Sequence, residues 1–180
     1  MLEIHRTRHL LDRLARLNAA EDWMHELNPT QAAALSYLAR ANRFSRSPSQ
    51  VADYLGSTRG TVSQTLKALT RKGLIAQVIH AKDKRSIQYG ITPEGDSILA
   101  RPNALEDGLQ TVDIGPLNDT LTKVLQNLLA KNGGRSFGLC RTCKHHDASG
   151  YCTLLNVALT PVEGDQICHE HANQDLTSLL

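Results

Sequence analysis

Apolar residues recur at helical spacing along most of this chain. The first pattern is carried by Leu10, Leu14 and Leu17, with charged residues between them, and it predicts an amphipathic helix over residues 2–26. Leucine, isoleucine, valine and alanine supply most of the apolar positions, because aromatic residues are only 4% of the sequence. This composition favours packed helices over a β-sandwich.

Two later helices begin with the same local signal. Residues 28–31 (Asn-Pro-Thr-Gln) and 47–50 (Ser-Pro-Ser-Gln) each provide an N-cap side chain, a proline at the first helical position and a glutamine that completes a capping box. They predict a helix over residues 29–41 and a short helix over 48–55. Gly56 is expected to end the short helix, since glycine readily adopts the left-handed conformation found there.

A further helix is predicted immediately after this glycine. It runs from Arg59 to Lys72, with Ser57 and Thr58 as capping residues and Gly73 at its end. Its apolar positions are spaced by four and three residues, so we expect one side of the helix to be buried. These positions are Val62, Leu66 and Leu69.

The pattern then changes to the period of a β-strand. Residues 74–80 and 87–91 are rich in β-formers and flank a charged tip at 81–86, which predicts a β-hairpin. A short helix, capped by residues 92–95, is predicted to about Ala100, and Pro102 and Asn103 interrupt it. Residues 102–115 are expected to be irregular or partly helical, and the next helix is expected over 116–131.

The order of these elements predicts a mainly α fold with a small β-hairpin wing, which is a winged helix-turn-helix. We expect it to occupy residues 1–132. A small cysteine-rich, metal-binding segment is expected over residues 135–175.

The predicted helix-turn-helix carries side chains suited to double-stranded DNA. The second helix of such a motif enters the major groove, where Arg59 can bind guanine and Gln64 can bind adenine. Residues 57–90 contain seven basic residues and one acidic residue, which suits a polyanion. The alternative is a solvated or protein-binding face. The candidate DNA-contacting residues are Ser57, Thr58, Arg59, Thr61, Ser63, Gln64 and Lys67 in the helix, and Lys82, Asp83, Lys84 and Arg85 in the hairpin tip.

Residues 47–92, with the segments TRGTVSQTLKALTRKGLI, KDKRS and ITPEG, resemble the winged-helix core of the MarR family. The resemblance extends more loosely over about residues 1–132 and implies that they form a DNA-binding and dimerisation domain. It implies an obligate homodimer on a pseudo-palindromic operator, with Asp83 bracing the wing and Arg85 in the minor groove. The chain departs from the family pattern at Pro102, where a long continuous helix is usual. The resemblance favours a dimer seam, rather than an intramolecular core, for the apolar stripe at 117–129.

All four cysteines lie within 29 residues, in the spacing Cys140-x2-Cys143-x8-Cys152-x15-Cys168. Clustered thiols in a chain without a signal peptide indicate a metal site more than disulfides. Four thiolates suit structural zinc, and the unpaired later cysteines also suit an iron–sulfur cluster. A redox-switch disulfide is a further alternative. Four histidines (His145, His146, His169 and His171) lie in the same segment, and we expect most of them to be solvent-exposed.

Two functional hypotheses follow from these patterns. In the first, a metal- or redox-responsive regulator binds DNA under the control of the cysteine segment. In the second, zinc is purely structural and a small molecule is the effector. The sequence shows no nucleophile–base arrangement or phosphate-binding loop, so we do not expect an enzyme. The absence of a membrane-length apolar run or signal peptide leads us to expect a cytoplasmic protein.

Overall fold

A computed structural model describes residues 2–24, 26–79, 87–134 and 136–172. The helices are α1 (Leu2–Met24), α2 (Pro29–Arg40), α3 (Pro48–Leu55), α4 (Arg59–Arg71), α5 (Pro93–Leu99), α6 (Ala104–Leu109), α7 (Ile114–Asn132) and α8 (Pro161–Gly164), with a 3-10 turn at Cys140–Thr142. The strands are β1 (Ile75–Ile79), β2 (Ile87–Ile91), β3 (Gly138–Leu139), β4 (Tyr151–Cys152), β5 (Val157–Ala158) and β6 (Ile167–Cys168). The predicted mainly α fold with a hairpin wing is confirmed.

The two predicted capping boxes are both present. Asn28 accepts a hydrogen bond from the amide of Gln31, and the Gln31 side chain accepts one from the Asn28 amide. Ser47 and Gln50 make the same pair of bonds at the start of α3. Gly56 has a φ of 57° and ends α3 in the left-handed region, as its position in the sequence predicts.

The core lies between α2, α3, α4 and the hairpin. Val62, Leu66 and Leu69 are all at most 1% exposed, which confirms the predicted inner side of α4. They meet the buried residues of α2, among which Tyr37 has no exposed surface. The hairpin pairs antiparallel, with Ile75 opposite Ile91. Its predicted tip falls within residues 80–86, so the candidate contacts Lys82, Asp83, Lys84 and Arg85 lie outside the described residues.

The segment after the hairpin is partly helical at its middle, as expected. Residues 102–115 contain the helix α6, whose N-cap Asn103 accepts hydrogen bonds from the amides of Leu105 and Glu106. The interruption at Pro102 is confirmed, since α5, α6 and α7 are separate helices. None of the described side chains of α7 is buried, so the interpretation of its apolar stripe as intramolecular core is wrong.

The cysteine segment is built from very short pieces. Strand β3 pairs with β6, and β4 pairs with β5, each through two residues of register. The segment packs directly on the winged helix: the Phe137 ring lies edge-on to Tyr37 and Tyr54, and Ile167 packs on the same core. In the described part of the chain, no helix combines the length and apolarity needed to cross a membrane.

Candidate nucleic-acid interface and thiol centre

Helix α4 presents one buried face and one polar face. The side chains of Arg59, Thr61, Gln64 and Lys67 are exposed, whereas Ser63 is half-buried. Their exposure follows from helical spacing, because the apolar positions between them face the core. This helix therefore offers an arginine, a glutamine and a lysine on one accessible surface.

The start of α4 is held by its N-cap. The Thr58 hydroxyl accepts a hydrogen bond of 3.1 Å from the amide of Thr61, and the two threonine hydroxyls lie 2.9 Å apart. Thr58 is exposed and Ser57 is half-buried. The N-terminal end of α4, where the helix dipole favours anions, is thus at the surface beside Arg59.

The four cysteines meet around one small cavity. Each is at most 9% exposed and each has a free thiol. This cavity is lined by Cys140, Cys143, Cys152 and Cys168. It is about large enough for one water molecule. The spacing of the cysteines predicts a shared site, and all four line one cavity in the structure.

Hydrogen bonds to sulfur surround this thiol centre. The Asn42 side chain donates to Cys140 Sγ over 3.2 Å, and the amide of Ala172 donates to Cys143 Sγ over 3.5 Å. The pKa of Cys168 is lowered to about 6, mainly by a hydrogen bond from the Cys140 thiol. Bonds from the backbone of Glu170 and the side chains of Asn42 and Ser45 contribute to this lowering, and burial opposes it. The shared proton, together with burial, raises the pKa of Cys140 well above its usual range. Such donors stabilise sulfur in its anionic form, which is the form that binds metals.

The donor chemistry fits a thiolate metal site, but the side chains are not arranged for coordination as they stand. Among residues 2–24, 26–79, 87–134 and 136–172, no three histidine, cysteine or carboxylate side chains converge closely enough to hold a metal ion. The cavity also includes His145, His146 and Leu154 in its lining. The Phe137 ring packs on the winged-helix rings of Tyr37 and Tyr54.

The four histidines of the segment are half-buried, so the expectation that most are solvent-exposed is wrong. The His171 ring lies 3.0 Å from the Thr142 hydroxyl, and burial lowers its pKa. The His169 ring lies 3.0 Å from the side-chain nitrogen of Gln50 in α3. These histidines serve the packing of the segment on itself and on the winged helix.

Sequence reasoning missed a role for Asn42 and Ser45. Both are buried at 0–1% exposure in the turn that joins α2 to α3. Asn42 contacts a cysteine 98 positions away along the chain. The available signal was two small polar residues at a helix end, which is common in any turn.

An apolar groove lies between α1 and α6. Its polar surface is small, and it opens beside the start of α7. The apolar lining includes Leu14, Leu17, Leu105, Leu109, Val112 and Leu117. A groove of this kind suits a small apolar ligand or the packing of another helix.

Residues 25–86 match the model of the MarR family. Proteins of that family are transcription regulators and not enzymes. No curated protein matches this chain.

Several solved structures share the fold. MepR of Staphylococcus aureus in its DNA-binding conformation is 20% identical, with a TM-score of 0.59 over 72% of this chain and 98% of MepR. The MepR–DNA complex is 21% identical, with a TM-score of 0.55 over 71% of this chain and 96% of that one. The regulator BldR from Sulfolobus solfataricus is 22% identical, with a TM-score of 0.54 over 70% of this chain and 94% of BldR. At these identities, the likeness establishes a shared winged-helix fold.

Proposed function

We propose that this protein is a MarR-type transcription regulator that binds double-stranded DNA as a homodimer on a pseudo-palindromic operator. The observation that carries the proposal is the exposed polar face of α4, which begins at a surface N-cap and is followed by the hairpin. The match of residues 25–86 to the MarR family supports it. So does the fold shared with a MepR–DNA complex.

In this proposal, α4 lies in the major groove. Arg59 binds a guanine edge, Gln64 binds an adenine edge, and Thr61 meets a thymine methyl group or a phosphate. The remaining helix contacts go to phosphates. They are made by Ser57, Thr58, Ser63 and Lys67, while Lys82, Lys84 and Arg85 of the hairpin reach the backbone or the minor groove and Asp83 braces the wing.

The test starts with duplexes selected from a random pool by the wild-type protein. We expect Arg59→Ala to weaken binding by about 1–3 kcal/mol and to relax specificity at one base position. Arg85→Ala should weaken binding to all selected duplexes. Arg71 is exposed at the far end of the same helix, so Arg71→Ala is the matched control. Unchanged affinity in both Arg59→Ala and Arg85→Ala would refute this docking, and failure to enrich any duplex would refute sequence-specific binding.

We further propose that Cys140, Cys143, Cys152 and Cys168 hold a metal centre, either an iron–sulfur cluster or a four-thiolate zinc ion. Their arrangement around one cavity and the hydrogen bonds to their sulfurs support it. A cluster would supply a redox response, whereas zinc would stabilise this small segment. In this proposal the chain itself provides the four ligands and the hydrogen-bond donors to their sulfurs.

Metal and sulfide analysis of anaerobically purified protein tests this centre. A cluster gives a brown protein with iron and sulfide, and zinc gives a colourless protein with one zinc per chain. Cys152→Ala should reduce the bound metal in either case. Protein that contains neither metal, and that does not take one up on reconstitution, would contradict the proposal.

The first role for this centre is sensing, in which metal or redox state changes operator affinity. Equal affinity of the loaded and metal-free protein would exclude that role.

The apolar groove between α1 and α6 favours a second candidate, in which zinc is structural and a small molecule is the effector. In that case Cys152→Ala should lower thermal stability and leave the effector response unchanged in the folded protein.

A further inference from the structure

The DNA-reading helices and the thiol centre meet at the turn that joins α2 to α3, residues 41–47. The backbone of this turn is tied to strand β6: Ala41 bridges Ile167, and the amide of Asn42 donates to the carbonyl oxygen of Ile167 over 2.9 Å. Ala41, Asn42 and Ser45 are at most 1% exposed. The turn is therefore enclosed between the two parts of the molecule.

Asn42 uses both ends of its side chain. Its nitrogen donates to Cys140 Sγ over 3.2 Å. Its oxygen accepts from the Phe44 amide over 3.0 Å and from the Ser45 hydroxyl over 2.7 Å. A polar side chain is costly to bury unless it is hydrogen-bonded, so this geometry is closely constrained.

Ser45 and Gln50 continue the path from Asn42 to helix α3. The Ser45 hydroxyl accepts a hydrogen bond of 3.0 Å from the amide of His169, the residue that follows Cys168. Gln50 donates to the carbonyl oxygen of Phe44 over 3.0 Å and also accepts from the Ser47 amide in the capping box of α3. Helix α3 packs against α4, the proposed reading helix. A continuous set of hydrogen bonds thus runs from the sulfur of Cys140 to the first turn of the helix-turn-helix.

The strength of the hydrogen bond from Asn42 to Cys140 Sγ depends on whether the sulfur is neutral or anionic. A metal-bound cysteine sulfur carries negative charge, and an N–H donor binds an anionic acceptor more strongly than a neutral one. Donors of this kind orient ligands and tune the bound group. A change of state at Cys140 therefore changes how firmly the α2–α3 turn is held.

We propose that Asn42 and Ser45 transmit the state of the thiol centre to the DNA-reading helices, so that loading the centre shifts operator affinity through the α2–α3 turn. This inference rests on the proposed function, because it assigns the route by which the centre would regulate DNA binding. Both residues are positioning residues, since neither is assigned a contact with DNA. Two packed states of the turn, biased by the sulfur of Cys140, are sufficient for the coupling.

The test uses the full-length protein, metal-free and reconstituted with Co²⁺ as the probe ion. For wild-type protein we expect operator affinity to differ between the two forms by about fivefold or more. Asn42→Asp keeps the acceptor for Phe44 and Ser45 but replaces the donor to Cys140 with a carboxylate oxygen. At saturating Co²⁺, this variant should bring the affinity ratio close to one and shift the sulfur-to-cobalt charge-transfer band.

Arg43→Gln is the matched control. Arg43 is adjacent to Asn42 and also ties the turn to the cysteine segment, by an ion pair of 2.5 Å with Glu163, but it is not among the hydrogen-bond donors to the thiols. We expect Arg43→Gln to lower thermal stability while retaining the wild-type affinity ratio and the wild-type band. Equal loss of the ratio in both variants would overturn the inference, because general docking of the segment would then explain the coupling.

Other outcomes separate this inference from the function on which it rests. A wild-type ratio of one, with the operator bound and Co²⁺ taken up, overturns the inference and leaves DNA binding intact. Failure of wild-type protein to bind any selected operator overturns the proposed function itself. Retention of the wild-type ratio in Asn42→Asp also overturns the inference. If that variant does not fold, Ser45→Ala replaces it in the test. We expect its affinity ratio to be close to one, and a wild-type ratio would contradict the proposed route.

Discussion

Tyr37 is the largest of the fully buried side chains in the described part of the protein. Its hydroxyl donates a hydrogen bond of 2.6 Å to the carbonyl oxygen of Ser45, and its ring stacks on Tyr54 with centroids 4.4 Å apart. Burial raises the pKa of Tyr37 well above its usual range. One side chain therefore fills the core and fixes the α2–α3 turn.

Removal of this hydroxyl tests its contribution. We expect Tyr37→Phe to lower the free energy of unfolding by about 1–3 kcal/mol, because a buried carbonyl loses its donor while the ring packing is kept. Urea denaturation followed by circular dichroism measures the change. Tyr54→Phe is the control in the adjoining ring and should change stability much less. Equal stability of Tyr37→Phe and the wild type would contradict the role of this hydrogen bond.

Single residues also show where sequence information was sufficient. The buried side of α4 could be predicted from Val62, Leu66 and Leu69, because helical spacing alone decides which side chains share a face. The contact of Asn42 with Cys140 could not be predicted in this way. It depends on how two segments 98 residues apart meet in the fold.

Some helix starts are likewise determined by local sequence, and others by contacts with distant residues. Helices α2 and α3 begin as predicted, because each capping box lies within four consecutive residues. Helix α6 was not predicted as a distinct helix, and its start is held from elsewhere in the chain. Asn103 donates to Asn18 of α1, and the amide of Ala104 donates to Glu21 of the same helix.

Helix α5 contains a close approach that only glycine allows. A side-chain carbon on Gly95 would lie 2.3 Å from the carbonyl oxygen of Leu74 and 2.8 Å from the Ile91 side chain. We expect Gly95→Ala to destabilise the protein by about 1–3 kcal/mol, because the helix must shift away from the hairpin. Thermal unfolding measures the effect.

Gly108 in α6 provides the opposite case. Apart from its chain neighbours and the nearby backbone of its own helix, no atom of the described residues lies within 4 Å of the position that its side-chain carbon would occupy. Gly108→Ala should therefore be neutral or stabilise the protein by up to about 1 kcal/mol. A stability of Gly95→Ala at or above that of Gly108→Ala would show that α5 adapts without cost.

At the scale of the whole molecule, the two longest of the described helices carry apolar side chains that the described residues leave exposed. Leu10 and Leu17 of α1 are 51% and 56% exposed, and Val124 and Leu128 of α7 are 54% and 55% exposed. Exposed apolar surface on this scale is typical of an interface. We therefore assign α1 and α7 to the homodimer of the proposed function.

The double variant Val124→Glu, Leu128→Glu tests this assignment. It places two charges in the apolar stripe of α7, so we expect the dimer to dissociate in sedimentation experiments and operator affinity to fall. Gln126→Glu adds a charge to an exposed position of the same helix outside the stripe and should leave both unchanged. A stable dimer in the double variant would place the interface elsewhere.

The bridge between Ala41 and Ile167 bears on how such a protein can be rearranged by engineering. Residues 136–172 cannot be transplanted alone onto another winged helix, because their partners at Asn42, Arg43 and Ser45 belong to the host domain. A functional chimera would have to carry the α2–α3 turn together with the cysteine segment. The smallest exchangeable unit of this protein is therefore discontinuous in sequence, made of the turn at residues 41–47 and the segment at residues 136–172.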